Sequence, residues 1–402
     1  MSSRPGMRFF PHITSTVWVL GLVSLFTDMA SEMLYPVMPL YLKQIGFSVL
    51  LIGILEGLAE ATAGLSKGYF GRQSDLSGKR IPFVQWGYAL SAMAKPLLAL
   101  GTHVAWVFGV RTLDRLGKGI RSGARDALLS DEAAAGKKGT VFGFHRALDT
   151  FGAALGPALA LIFLSFHPEE YKTLFLLAMI PGFLALLSAF LLRSSRQQPK
   201  TVNAKPSFFS SMGFWKESPA AYRKLCIGLL GFALFNSSDV FLLLRAKESG
   251  IDDLTLIGWY IAYNLMYALT SYPLGILADR IGLKRIMLLG LLVFAAVYMG
   301  MAATDDAFLM AALFLLYGVY AAATDGISKA WISNLVAGSD KATALGSYAG
   351  FQSIAALLAS SAAGLLWLLF GPEVSLLTSA CCALLAAGYL WLQVPEAAET
   401  EG

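Results

Sequence analysis

Charge is scarce in these 402 residues: Asp, Glu, Lys and Arg together make up 14% of the chain, against 56% hydrophobic residues. A water-soluble domain carries nearer a quarter, and the mean hydropathy of +0.62 points the same way. A soluble globular chain and a disordered one are both excluded. Cysteine is scarcer still. Cys226, Cys381 and Cys382 all fall in apolar segments, which leaves no disulfide framework, zinc site or redox pair. Only four histidines occur, His12, His103, His145 and His167, and none sits in an H-E-x-x-H pattern. An intramembrane metalloenzyme is therefore disfavoured. No G-x-x-x-x-G-K-[ST] loop occurs, which argues against direct coupling to ATP. No small-residue cleavage site follows Arg4 and Arg8, so the first apolar run is expected to remain as a helix.

What is present is apolar run after apolar run. They fall at 15–43, 49–70, 81–101, 104–130, 140–165, 172–193, 223–246, 254–276, 284–303, 307–335, 342–370 and 374–394. Each is long enough for the roughly 20 residues that cross a bilayer. The expected fold is an all-α membrane protein with twelve transmembrane helices in two pseudo-symmetric six-helix halves. The N-terminal half is 1–193, a basic Ser- and Pro-containing linker is 194–221, and the C-terminal half is 222–402. The linker is expected to hold a short amphipathic piece at Phe208–Trp215. Arg4, Arg8, Arg72, Lys79, Arg80, Lys137, Lys138, Arg193, Arg196, Lys200, Lys205, Lys284 and Arg285 fall on one side of the spans. Lys43, Lys172, Arg245 and Lys247 fall on the other. By the positive-inside rule, both termini and the linker face the cytoplasm of a bacterial-type inner membrane. The net charge of +5 is explained by topology, and no nucleic-acid partner is expected.

The halves repeat. L-L-I-G ending at Gly53 matches T-L-I-G ending at Gly258. Gly71-x3-Asp75-x2-Gly78-Lys79-Arg80 matches Gly275-x3-Asp279-x2-Gly282-x-Lys284-Arg285, about 204 residues later. Chemistry gives this loop a latch role. Gly71 and Gly78 permit a turn and close helix approach, and Asp75 can cap a helix N-terminus and pair with an Arg. Lys79 and Arg80 suit an anionic lipid surface.

Such a loop after the second span of both halves resembles the signature of the major facilitator superfamily, over nearly the whole chain. Arg111-Thr-Leu-Asp114-Arg115-Leu-Gly117-Lys118-Gly119 is similar to that family's R-x5-G-x-G motif, with Asp114, Arg115 and Lys118 where uncharged residues are usual. Gly143 and Gly152-Ala-Ala-Leu-Gly156-Pro157 resemble the antiporter motif of its exporters, with Ala160-Leu161 in place of the final Gly pair. D-R-L-G-K-G-I-R, R-D-A-L-L and F-H-R-A-L-D-T are similar to a bacterial permease subgroup akin to drug/proton antiporters. The resemblance implies a transporter, usually monomeric, with a small-molecule substrate, no cofactor and no metal.

Charge inside the spans is the other signal, because each such group costs roughly 2.5–3.5 kcal/mol at the bilayer centre. The first half carries Asp28, Glu32, Glu56, Glu60, Lys67, Lys95, Arg111, Asp114, Arg115, Lys118, Arg121, Arg125, Asp126, His145, Arg146 and Asp149. The second carries only Asp239, Arg245, Asp325 and Lys329. At 1.5 Å per residue, Asp28, Glu60, Asp114, Arg115 and Asp149 fall roughly 14–17 Å from their helix ends, near mid-membrane. Asp239, Asp325 and Lys329 are expected near helix ends, where snorkelling lowers the cost. Asp28, Glu32, Glu56, Glu60, His145 and Asp149 are the proton-coupling candidates. Arg111, Asp114, Arg115, Lys118 and Arg146 are the substrate-binding candidates, with Arg146 facing span four and Arg115 the expected anion-binding fork. In the second half Asn236, Ser237, Ser238, Tyr348 and Gln352 supply uncharged hydrogen-bonding groups, with Tyr348 and Gln352 at the repeat equivalents of His145 and Asp149.

The expected function is secondary active transport of a small organic or anionic solute by alternating access, proton-coupled, with efflux favoured over uptake. The alternative is an uptake permease for a charged metabolite or metal chelate. An intramembrane enzyme or a transporter-like sensor is more remote.

Overall fold

A computed structural model describes residues 10, 12–35, 37–192, 210–237 and 239–394. Most of the expected linker, with Arg193, Arg196, Lys200 and Lys205, lies outside the described residues, as do Arg4, Arg8 and Ser238. Every regular element among the described residues is a helix. In order they are α1 (Ser15–Glu32), α2 (Met38–Gln44), α3 (Val49–Ser77), α4 (Arg80–Leu100), α5 (Val104–Glu132), α6 (Lys138–Phe166), α7 (Tyr171–Leu177) and α8 (Met179–Phe190). Then follow α9 (Ser210–Glu217), α10 (Ala220–Ala233), α11 (Val240–Glu248), α12 (Asp253–Ile281), α13 (Leu283–Ala303), α14 (Ala307–Asn334), α15 (Lys341–Phe370) and α16 (Pro372–Gln393).

Local chemistry sets these ends. Ser48 accepts from the Leu51 amide at the start of α3, and Asp252 accepts from the Thr255 amide at the start of α12. Each follows a left-handed glycine, Gly46 at φ 91° and Gly250 at φ 89°. α3 stops at Gly78, φ 61°, and α12 at Gly282, φ 107°. A β-carbon disfavours such angles, so glycine is needed there. All three pairs of positions are 204 residues apart, so the repeat extends to the punctuation of its helices.

Three expected spans are interrupted. The run 15–43 is α1 and α2, 172–193 is α7 and α8, and 223–246 is α10 and α11. Pro181 explains the second break, because its missing N–H leaves the Leu177 carbonyl without its helical donor. Asn236 and Ser237 lie at the third, where their side chains meet the Tyr320 and Tyr298 hydroxyls. Counting each broken pair once, the described helices form twelve long segments. Among the described residues six helical stretches, the pair α7–α8 being one of them, are long and apolar enough by length and composition alone to cross a membrane. Phe166, Phe308 and Leu368 lie more than three-quarters exposed, as lipid-facing side chains do.

The chain sorts into two compact units. The first holds Met1–Ala134, Leu148–Lys216 and Ala337–Gly350; the second holds Ala135–Ala147, Glu217–Val336 and Phe351–Gly402. The division therefore falls near the expected halves, except that the start of α6 belongs to the second unit and the start of α15 to the first. In the first unit Tyr41, Leu42, Leu55, Val107 and Phe175 form part of a continuous apolar core. The Tyr41 ring meets Phe175 edge-on at 4.7 Å, and its hydroxyl donates to the Leu98 carbonyl.

Small residues bring these helices close. A β-carbon at Gly156 would lie 2.7 Å from the Met29 carbonyl oxygen, and one at Gly152 would overlap that of Leu25, so α6 rests against the α1 backbone. Gly117 has the same relation to Gly87 and Ser91, joining α5 to α4. Without a hydrophobic force between helices in lipid, such backbone contact is a main source of association. Gly156→Ala should therefore lower the thermal midpoint of the detergent-purified protein, with overpacking costing about 1–3 kcal/mol. Gly109→Ala, where a β-carbon meets nothing within 4 Å, should leave the midpoint unchanged or raise it by removing a helical glycine.

Candidate functional site

The two loop aspartates each cap a helix. In the first unit Asp75, in the last turns of α3, accepts from the Thr343 amide at 2.7 Å, the Thr343 hydroxyl at 2.7 Å and the Ala342 amide at 3.3 Å. These are first-turn donors of α15, where orphan N–H groups and the helix dipole favour an anion. Gly71 lies inside α3, not in a turn as expected, and a β-carbon there would overlap the Ala342 carbonyl. Arg80 sits 3.5 Å from Asp75 and 2.8 Å from Asp131, and donates to the Gly338 carbonyl at 2.9 Å. Lys341 meets Asp131 at 2.9 Å. Lys79 is exposed, and its amide bonds the Ser77 hydroxyl.

In the second unit Asp279 accepts from the Gly139 amide at 2.8 Å and from the Thr140 amide and hydroxyl at 2.7 and 2.6 Å. It caps α6 as Asp75 caps α15. Gly275 packs on Gly139, and Gly143 on the Ser271 carbonyl, with no room for a β-carbon. Lys284 takes a different duty from Arg80, donating to the Trp391 and Val394 carbonyls at the end of α16 at 2.8 and 2.7 Å. Arg285 stands beside it in the first turn of α13.

Eight of the charged residues of the first unit converge on one cavity of about 100 Å³: Asp28, Glu32, Lys95, Arg111, Asp114, Arg115, Lys118 and Arg121, with Leu34, Ala94 and Leu98 beside them. The helical spacing explains the convergence. Residues 111, 114, 115, 118 and 121 recur at three- and four-residue steps on one stripe of α5. Arg111 meets Glu56 of α3 through two parallel bonds of 3.0 and 3.1 Å. Arg115 lies 3.3 Å from Glu60 and 3.9 Å from Glu56. The expected fork at Arg115 is thus committed to α3 acids, because i to i+4 pairs on the two helices face each other in register. Lys95 of α4 lies 3.8 Å from Asp114 and donates to the Ser91 carbonyl. Arg121 donates to the Ser91 hydroxyl at 2.6 Å and stacks over the Tyr88 ring at 4.5 Å. Asp28 lies within hydrogen-bond reach of Asp149, which also accepts from Ser24.

Arg146 is a correction. It was expected opposite span four, but it lies in the second unit, paired with Asp325 and over the Tyr267 ring. Asp325, expected near a helix end, sits within α14 and also accepts from the Tyr267 hydroxyl at 2.5 Å. His145 is buried beside Arg146 in the second unit's part of α6. Tyr348 is buried in α15, Gln352 is half-buried there, and Asn236 donates to the Tyr320 hydroxyl at 3.0 Å.

Sequence reasoning missed the tyrosines of the second unit. Tyr263 stacks on Tyr317 at 5.2 Å, and Tyr317 lies 5.2 Å from Tyr320 and 6.2 Å from Tyr298. Their signal was the spacing 260, 263, 267 in one span and 317, 320 in another.

A family model for the Major Facilitator Superfamily matches residues 20–259 and 225–401. The chain is 34% identical over 382 residues to an uncharacterised MFS-type transporter of Methanocaldococcus jannaschii, covering 93% of this chain and 94% of that one. It is 24% identical over 306 residues to a multi-drug resistance efflux pump PmrA homolog of Lactococcus lactis, covering 73% of each. Its fold matches the human organic anion transporter MFSD10 with a TM-score of 0.77 at 18% identity, over 93% of this chain and 98% of that one. The helices and the duplicated loop thus define an integral membrane transporter, not an enzyme. The chain belongs to the Major Facilitator Superfamily.

Two outcomes follow from this geometry. Glu56→Gln and Arg111→Gln should each destabilise the protein, and the double variant should cost less than their sum, with a coupling of about 0.5–3 kcal/mol in a thermal or denaturant cycle. Asp75 lies beyond the crossing residues of α3. Burial raises its pKa from 3.8 to about 6, against the opposing pull of Arg80 and the Thr343 bonds. A raised folded pKa means that this group's contribution to stability is complete below pH 3.8 and lost as pH rises through about 6. Asp75→Asn should flatten the pH dependence of the thermal midpoint near pH 6, and Asp75→Ala should weaken the cap by about 0.5–2 kcal/mol at neutral pH.

Proposed function

We propose that this protein is a proton-coupled secondary transporter that moves a small organic or anionic solute by alternating access, with export favoured. The observation that carries the proposal is the charged cavity of the first unit. Cations and acids gather at mid-membrane, where each would be costly alone, and such a place suits both a polar substrate and a coupling ion. Asp28 and Asp149 are the proton site in this reading. Two carboxyl groups within hydrogen-bond reach cannot both hold full negative charge, so one proton is shared and can be exchanged. The capped ends of α15 and α6 serve as latches that hold one arrangement of the helices and release in the other. They lie on the cytoplasmic side of an inner membrane by the distribution of Lys and Arg, with both termini on that side, and the protein works as a monomer.

Export draws support from the likeness to the efflux-pump homolog and from Gly152, Gly156 and Pro157. A second reading, uptake of a charged metabolite, is favoured by the five cations lining the cavity. Reconstituted into liposomes, the protein should accumulate substrate when a pH gradient is imposed, in the direction that distinguishes the two. Asp28→Asn and Asp149→Asn should each abolish gradient-driven accumulation while solute counterflow persists. Full accumulation by both variants would return the pair to a structural role. Counterflow by neither would mean that the carboxylates serve binding and not coupling.

A further inference from the structure

We infer that Lys118 reads the charge of the substrate, and that the substrate presents a single carboxylate on a small, partly apolar body. This rests on the transporter reading and adds the substrate class.

The argument is one of elimination around the cavity. Arg111 is held by Glu56, Arg115 by Glu60, Lys95 by Asp114, and Arg121 by Ser91 and Tyr88. Lys118 is different. Among the described residues no carboxylate oxygen lies within 4.0 Å of its ammonium, and the ammonium donates no hydrogen bond. Its side chain is nonetheless open to the cavity, one turn of α5 beyond Arg115. Arg115 and Arg121 push on its charge, while Glu60 and Asp28 attract it without an ion-pair contact. An ammonium left in that position raises the energy of the empty site, and a ligand anion lowers it.

The class of ligand follows from the surroundings. Among the described residues neither Arg121 nor Lys118 has an ion pair, but Arg121 is engaged by the Ser91 hydroxyl and the Tyr88 ring, so Lys118 is the cation whose donors are open to one negative charge. A dianion would bring its second charge against Asp28, Glu32 and Asp114 with nothing left to neutralise it. Lysine offers a compact charge with three rotatable donors and no planar fork, so it holds one carboxylate without demanding two-point geometry. Leu34, Ala94 and Leu98 in the same wall give apolar contact for a short carbon skeleton, and the cavity volume of about 100 Å³ keeps that skeleton small.

The test uses the full-length protein in detergent with propionate and lactate as probes, their amides as neutral counterparts, and inorganic phosphate as the multiply charged one. Binding is read by calorimetry and by shift of the thermal midpoint. The expected result is binding of the monocarboxylates in preference to the amides and phosphate, weakened about tenfold to a hundredfold in Lys118→Gln. Lys118→Cys should lose binding in the same way. Alkylation with bromoethylamine, which rebuilds an ammonium on a side chain of lysine's length, should restore it, while the same treatment, which also reaches the exposed Cys381, should leave binding by the unsubstituted protein unchanged. Recovery on alkylation also shows that the Cys variant is folded. Equal binding of the amides, preference for phosphate, unchanged affinity in Lys118→Gln, no rescue of the Cys variant, or no monocarboxylate bound would each overturn the assignment. Counterflow of a neutral or cationic solute in that case leaves the transporter reading standing. Monocarboxylates bound through Lys118 but never exchanged across the bilayer would remove the transporter reading and keep the site.

Discussion

The structure depends on pairing charge across helices inside a low-dielectric region. α5 carries five charged side chains on one stripe, and a helix with that stripe facing lipid would not be tolerated. It is stable where it is because α3 presents Glu56 and Glu60 in register with Arg111 and Arg115, and because α4 presents Lys95 to Asp114. The pairs fix the rotation of α5 about its axis. Once α5 is fixed, Gly117 and Gly119 must face α4 and α3, and both are glycines with no space for a side chain. Electrostatic register and backbone proximity therefore select the same orientation, as expected of a sequence whose levels agree.

The two units solve the same problem with different chemistry. At the 204-residue offset, Glu56 corresponds to Tyr260, Glu60 to Asn264 and Glu32 to Asn236. Where the first unit places acids, the second places neutral groups that bond without ionising, such as the Asn236–Tyr320 contact. Its Arg146–Asp325 pair is sealed by Tyr267 from both sides: the hydroxyl donates to the acid and the ring faces the guanidinium. The capping device at the helix ends is kept unchanged while the interiors have diverged. The shared parts are those that any such helix pair needs, and the differing parts are those that face the cavity or its counterpart.

Much of this was legible in the sequence. The spans, the repeat and the loop with Asp75 and Asp279 are local patterns, and local patterns survive translation into structure. The gathering of charge on facing stripes of α3 and α5 was also legible, because residues three and four apart share a helix face. The breaks at residues 33–37 and 234–239 were hidden inside apolar runs that look continuous by composition. Partner choice was hidden for a different reason. Arg146 and Asp149 share a turn of α6, but a sequence does not say that the packing of this helix divides between two bodies at Ala147 and Leu148. Likewise Arg115 and Lys118 are both cations on one stripe. Only the positions of the α3 carboxylates tell which of them is already satisfied. The tyrosines went unnoticed because aromatic residues at helical spacing usually mean ordinary core.

The ion pairs along α5 also have an electrical consequence. Moving one elementary charge through a membrane potential takes about 2.3 kcal/mol per 100 mV. A guanidinium and a carboxylate 2.9 Å apart, as Arg111 and Glu56 are, travel as a closed dipole and do almost no work against that field. An ammonium without such a neighbour carries its full charge with it. Any displacement of this cluster along the membrane normal therefore couples to the voltage through the cations that lack a carboxylate neighbour, Lys118 and Arg121, and an anion bound at Lys118 cancels one of those two charges. The empty carrier would feel the membrane potential more strongly than the loaded one.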